Sequence, residues 1–123
     1  MSRRAQFVTL PRMSWSSDEA LTDPAIRDAV MFVSEFKFCL AGIDEEITCR
    51  LYRPMHSGKL ITRRSHYLVV DGMPACEPAA RDDDNSEGEA LHRAVDDLVR
   101  TYNAAKAKGL TPSPSWLKAN PEF

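Results

Sequence analysis

The sequence predicts an α+β domain: an antiparallel β-sheet of three to five strands packed by a long C-terminal helix, with a short N-terminal helix. Three observations carry this expectation. Leu91, Ala94, Val95, Leu98, Val99 and Tyr102 form an apolar stripe on a 3.6-residue period. Apolar and polar residues alternate from Phe36 to Leu40 and from Ile47 to Tyr52, the period of a half-buried strand. The length, 123 residues, suits one core, so the whole of 1–123 is read as a single domain.

The elements follow in chain order. Gln6 to Leu10 reads as a short strand. Asp23-Pro24 has the form of an N-cap followed by proline at the first helical position. Ile26, Ala29, Val30 and Val33 then fit a helical stripe, which places the short helix from Pro24 to about Val33. Val30, Phe32, Ser34, Phe36 and Phe38 also alternate, so a strand competes for part of this stretch.

Gly42-Ile43-Asp44-Glu45 joins the two alternating runs as a hairpin connection, and His56-Ser57-Gly58-Lys59 makes the next turn after Pro54. Leu60–Thr62 and His66–Val70 read as two short strands or one long bent one, closed by Asp71-Gly72-Met73-Pro74. The sheet is expected to be a meander.

Residues 77–88 read as an acidic linker without large apolar residues. The long helix is expected from Glu87 to Lys108. Ser86 and Glu89 form a capping box, Lys106 and Lys108 suit its C-terminal dipole, and Gly109 is a natural cap. Arg93/Asp97 and Asp96/Arg100 fall at i, i+4 on the polar face. The tail, 110–123, is Pro-rich and apolar.

Composition narrows the function class. The chain is 43% hydrophobic and 28% charged, which is globular rather than disordered. A net charge of −2 excludes a strongly basic nucleic-acid coat protein. No run approaches the roughly 18 apolar residues of a membrane span, and no apolar stretch follows Arg3-Arg4 as in a secretory signal. Three widely spaced cysteines, Cys39, Cys49 and Cys76, suggest reduced thiols and a cytoplasmic location. A Cys39–Cys49 bridge across the hairpin is the alternative.

The near-neutral total hides a segregation. Arg50, Arg53, Lys59, Arg63 and Arg64 occupy 50–66 with His56 and His66 and no acid, whereas 77–89 holds six acids and one arginine. Convergent guanidinium groups on a β-surface make an anion site. Arg50 and Tyr52 share a strand face, placing an aromatic ring beside a cation. The expected anion or partner site is therefore Arg50, Tyr52, Arg53, Lys59, Arg63, Arg64 and His66. The competing expectation is a basic sheet edge that blunts aggregation or pairs with an acidic segment of the same chain.

Other chemistry is weakly signalled. Asp82-Asp83-Asp84 lacks the spacing of a calcium loop and suits the start of a helix. Cys39, Cys49, His56, His66, Cys76 and His92 lack the close spacing of a zinc site. Nucleophile-elbow, HExxH, Walker and dinucleotide-fold motifs do not occur. No cofactor is expected. Trp116, Leu117 and Phe123 read as interface anchors, which points to a homodimer, with folding back onto the sheet as the equal alternative.

These signals describe a small cytosolic, non-catalytic interaction protein of accessory or inhibitor type, as bacteria and phages encode. It would use the basic β-surface to bind an acidic protein partner. The alternative is nucleotide or nucleic-acid binding by the same surface, with Tyr52 or Tyr67 stacking. A small enzyme using His56, His66 or a cysteine ranks third.

Overall fold

A computed structural model describes residues 14–55, 59–76, 81–84 and 86–123. The expected strand Gln6–Leu10, the turn residues His56, Ser57 and Gly58, and positions 77–80 lie outside the described residues.

Among the described residues, six strands and one long helix make an α+β fold. Strands β1 (Val30–Phe38), β2 (Ile47–Pro54), β3 (Leu60–Arg64) and β5 (Arg81–Asp84) form one antiparallel sheet in the order β1-β2-β3-β5. Strands β4 (His66–Leu68) and β6 (Leu117–Ala119) form a second, two-stranded antiparallel sheet. His66–Val70 is thus separate from β3, and Ser65 marks the break: its N–H donates to the Thr48 carbonyl at 2.8 Å.

The expected helix from Pro24 to Val33 does not form. Asp23 caps a single turn, its Oδ1 accepting from Ala25 N–H at 2.8 Å and its carbonyl from Ile26 N–H at 2.9 Å. Asp28 then takes a left-handed conformation, φ 58°, which a helix cannot propagate through. From Val30 the chain pairs with β2 instead, so alternation prevails over the helical stripe. The N-terminal helical content among the described residues is one turn, α1 (Ser17–Ala20).

The long helix α2 spans Glu87–Ala107, and Ser86 caps it by accepting from Glu89 N–H at 3.2 Å. Its C-terminal turn ends at Gly109, φ 84°. The face it buries is rotated from the expected stripe: Ala90, Ala94, Asp97, Leu98, Thr101, Tyr102 and Ala105 point inward. Two polar residues therefore sit where only apolar ones were expected. Within the expected linker, Arg81–Asp84 pairs with β3, and Glu87 and Gly88 belong to the helix.

Alternation along β2 and β3 sends Ile47, Cys49, Leu51, Leu60, Thr62 and Arg64 into the interior. Cys49, Leu51 and Leu60 pack on Ala90 and Ala94 of α2. Beside them, Leu40, Ile43, Ile47, Leu68, Leu98, Tyr102, Trp116 and Leu117 form a second cluster. A side chain such as Leu51 or Leu98, fully removed from water, contributes about 1.5–3 kcal/mol by burial.

The tail folds back. After a 3-10 turn, Pro114–Trp116, strand β6 pairs Leu117 with Leu68. Trp116 packs edge-on against Tyr102 with ring centroids 6.0 Å apart, and the Tyr102 hydroxyl donates to the Ala41 carbonyl.

Candidate interaction face

The sheet has two unlike faces. One carries the core and α2. The other, the open face, is set by the alternate residues of the same strands; on it Phe32, Glu35, Lys37 and Arg63 are exposed and Thr48, Arg50, Tyr52 and Ile61 are half-buried. Across it the register aligns Phe32 with Tyr52 and Ile61, and Glu35 with Arg50 and Arg63. A β-bulge between Phe32 and Ser34 shifts the parity of β1, which is why Phe32 lies on the open face while Phe36 packs inward.

Two cross-strand rows result. In the first, the Phe32 and Tyr52 rings meet edge-to-face at 6.0 Å. In the second, Arg50 Nε donates to Glu35 Oε2 at 2.6 Å, and that bond holds the Glu35 carboxyl below its usual range. Arg63 joins the rows, its guanidinium lying 5.6 Å from the Tyr52 ring centroid. Arg50 in turn lies 4.5 Å from the ring centroid of Phe123. Phe32 is 54% exposed, and Val30 and Met31 beside it are more than two-fifths exposed.

The structure separates the seven residues of the expected basic site. Arg50, Tyr52 and Arg63 come together on the open face. Arg53, one residue past Tyr52, falls by alternation on the opposite face, across from Met31. Lys59 precedes β3, outside the ladder. His66 lies in the second sheet and is engaged: Ser65 Oγ accepts from Thr48 N–H and sits 2.7 Å from His66 Nδ1, while Nε2 is 2.9 Å from Glu45 Oε2. With the Ser65 hydroxyl donating to Nδ1, Nε2–H is the donor to Glu45.

Arg64 is a core residue rather than a surface one. Its side chain is 7% exposed, and Nη1 donates to Asp97 Oδ2 at 3.1 Å and to the Ala94 carbonyl at 3.0 Å. Asp97 also accepts from Arg100 Nη2 at 3.0 Å and lies 3.6 Å from Cys76 Sγ. The expected Arg93–Asp97 pair is replaced by Arg93–Glu89 at 3.9 Å, since Asp97 turns inward; Asp96–Arg100 forms at 3.4 Å. The acidic segment also meets the basic one inside the chain, as backbone partners Leu60↔Asp84 and Thr62↔Arg81.

The expected interface anchors need the same revision. Trp116 and Leu117 are buried in the core, so neither is available to a partner, whereas Phe123 is 39% exposed against Arg50. Phe32, absent from the expected site, is part of the open face. The competing alternation of Val30–Phe38 marks a strand there, but its period of two puts Phe32 on the side of Phe36 and Phe38; the bulge carries it to the other side.

A shallow depression of ≈ 460 Å³ lies elsewhere, lined by Val69, Val70, Asp71, Leu110, Ser115, Trp116 and Lys118. None of the seven residues of the expected basic site lines it. Among the described residues, no group of three His, Cys, Asp or Glu side chains clusters as a metal site would. The cysteines are free thiols, Cys39 exposed and Cys49 and Cys76 buried. No described helix is long and apolar enough to cross a membrane. No family model matches the sequence, and comparison with curated proteins and solved structures yields no match.

Proposed function

We propose that this chain is a non-catalytic interaction domain whose open sheet face, built on Phe32, Tyr52 and Arg63, docks a protein partner. The supporting observation is the placement of Arg63 over Tyr52, beside an exposed Phe32. Aromatic rings and arginine are the residue types that dominate binding energy at interfaces. Stacking holds the Arg63 guanidinium over the ring, and its donors remain available for a carboxylate from the partner.

Charge alone supports this reading less than the sequence suggested. Arg64 is neutralised by Asp97 and Arg50 by Glu35, and the His66 ring is held between Ser65 and Glu45. The partner is therefore one that brings apolar surface to Phe32 and Tyr52 and an acid to Arg63, rather than one that is acidic overall. The protein acts in the cytoplasm on this proposal, consistent with reduced thiols.

A second reading has one observation in its favour. An exposed ring, Phe32, and the half-buried Tyr52 beside an arginine also suit stacking of nucleobases. The two separate in one experiment. Tagged wild-type chain and a Tyr52→Ala/Arg63→Glu variant are expressed in the native cell and their co-purifying proteins quantified. A protein retained by the wild type and lost by the variant is expected. Equal recovery on both contradicts the protein-partner reading. Fluorescence anisotropy with labelled oligonucleotides at low salt tests the second reading, which requires binding that weakens steeply as salt rises.

A further inference from the structure

We propose that two copies of this chain join antiparallel along β1, with Phe36 of each facing the other on a two-fold axis. This goes beyond the open-face reading and rests on a different feature, the edge of the sheet that no described strand besides β2 pairs with. Strand β1 is nine residues long and stands at the end of the order β1-β2-β3-β5. Among the described residues, β2 is the strand that pairs with it. An edge of this length is a template for another strand unless something blocks it.

The sequence of β1 selects both the occupant and the register. Residues directly opposite one another in a sheet share a face, so a two-fold pairing must centre on a residue. Centring on Glu35 sets two carboxylates opposite each other, and centring on Lys37 sets two ammonium groups opposite each other. Centring on Ser34 pairs Phe36 with Phe32, which the bulge has turned to the other face. Centring on Phe36 sets Glu35 opposite Lys37 twice over, and ring opposite ring. The straight part of β1, Ser34–Phe38, is thus complementary in charge to a second copy of itself.

Both charged residues lie on the same face as Arg50, with the Glu35 and Lys37 side chains 30% and 52% exposed. Lys37 Nζ sits at a loose 3.9 Å from Glu35 Oε1 of its own strand, a contact the pairing would exchange for one to the second copy. Glu35 already accepts from Arg50 on its inner side. In the pair, the row would read Arg63, Arg50, Glu35, then Lys37 and Thr48 of the second copy. Lysine within an edge strand ordinarily discourages pairing with unrelated strands. Here Glu35, two residues away, makes that lysine selective for a strand with a carboxylate at the matching position. The two-fold axis is perpendicular to the sheet, so the two open faces form one continuous surface.

Sedimentation equilibrium on the full chain tests this. Wild type is expected to reach twice 13.8 kDa as concentration rises. Glu35→Lys and Lys37→Glu each place like charges opposite one another and should raise the dimer dissociation constant about tenfold or more. Mixing the two variants restores opposite charges at both positions, so the mixture should regain the wild-type mass. That recovery also shows that each variant is folded. A wild type that stays monomeric at millimolar concentration overturns the proposal, leaving the edge to the chain's own N-terminal residues or to another protein. A dimer unaffected by either charge reversal overturns it as well.

Discussion

Arg64 Nη1 lies 3.1 Å from Asp97 Oδ2, joining the innermost residue type expected least, a charged one, from β3 to the middle of α2. The same guanidinium holds the Ala94 carbonyl, and Thr101 one turn further along donates its hydroxyl to the Pro74 carbonyl at 2.9 Å. The polar residues on the buried face of α2 therefore fix how the helix lies on the sheet. Apolar packing around Leu98 and Ala94 gives the energy of the contact, while these bonds specify its orientation.

Removing one partner of this pair should be costly. Asp97→Ala takes the carboxylate from a buried guanidinium and is expected to destabilise by about 3–5 kcal/mol. Replacing both, as Arg64→Met with Asp97→Leu, should cost far less, because no charge is then left uncompensated. Urea unfolding of the two variants and the wild type checks the difference. Equal losses would mean that the pair does not act as a unit.

Trp116 closes the core from the tail, edge-on to Tyr102. Trp116→Ala should destabilise by about 3–5 kcal/mol, the range for a large aromatic removed from a core. Its melting temperature should fall well below that of Phe123→Ala, since Phe123 stays 39% exposed. A Trp116 variant that melts like wild type would return that side chain to the surface role expected from the sequence.

Stability should fall in alkali through a buried thiol. Burial pushes the Cys49 thiol up to about 11, from an ordinary value of 9.0, and Cys76 is also raised by burial. Above pH 9 the unfolded thiol ionises while native Cys49 stays protonated, so the native state binds more protons. Unfolding free energy then declines as pH rises between about 9 and 11, by up to about 1.4 kcal/mol per pH unit for one group. Urea titrations at pH 8 and 10.5 measure the drop, and Cys49→Ala should make it shallower. An equal drop in that variant would assign the effect to other groups.

Much of the fold is legible in the sequence. The capping box at Ser86 and Glu89 and the 3.6-residue stripe locate α2 to within a residue at its end, because both signals are local. The rotation of its buried face is not legible, because it depends on Arg64 finding Asp97 thirty-three residues away. Pro24–Val33 carries two valid local patterns. Only the availability of β2 as a partner, together with the left-handed Asp28, decides between them.

The candidate face was legible in part for the same reason. Strand alternation places Arg50, Tyr52 and Arg63 on one side and Arg53 and Arg64 on the other. A count of basic residues along the chain does not separate them. Adjacent arginines, Arg63 and Arg64, thus have opposite environments, one over the half-buried Tyr52 ring and one inside the core. Phe32 joins the face through a bulge, a one-residue shift that hydropathy patterns do not mark.

The most direct test of the open-face assignment is hydroxyl-radical footprinting of the chain alone and in complex with the protein that co-purifies with it. Oxidation of Phe32 and Tyr52 should drop in the complex, while the exposed side chains Val69 and Leu110 beside the depression should react as in the free chain. If Phe32 and Tyr52 oxidise at their free rates while Val69 and Leu110 become protected, the partner docks elsewhere and the proposed face is wrong.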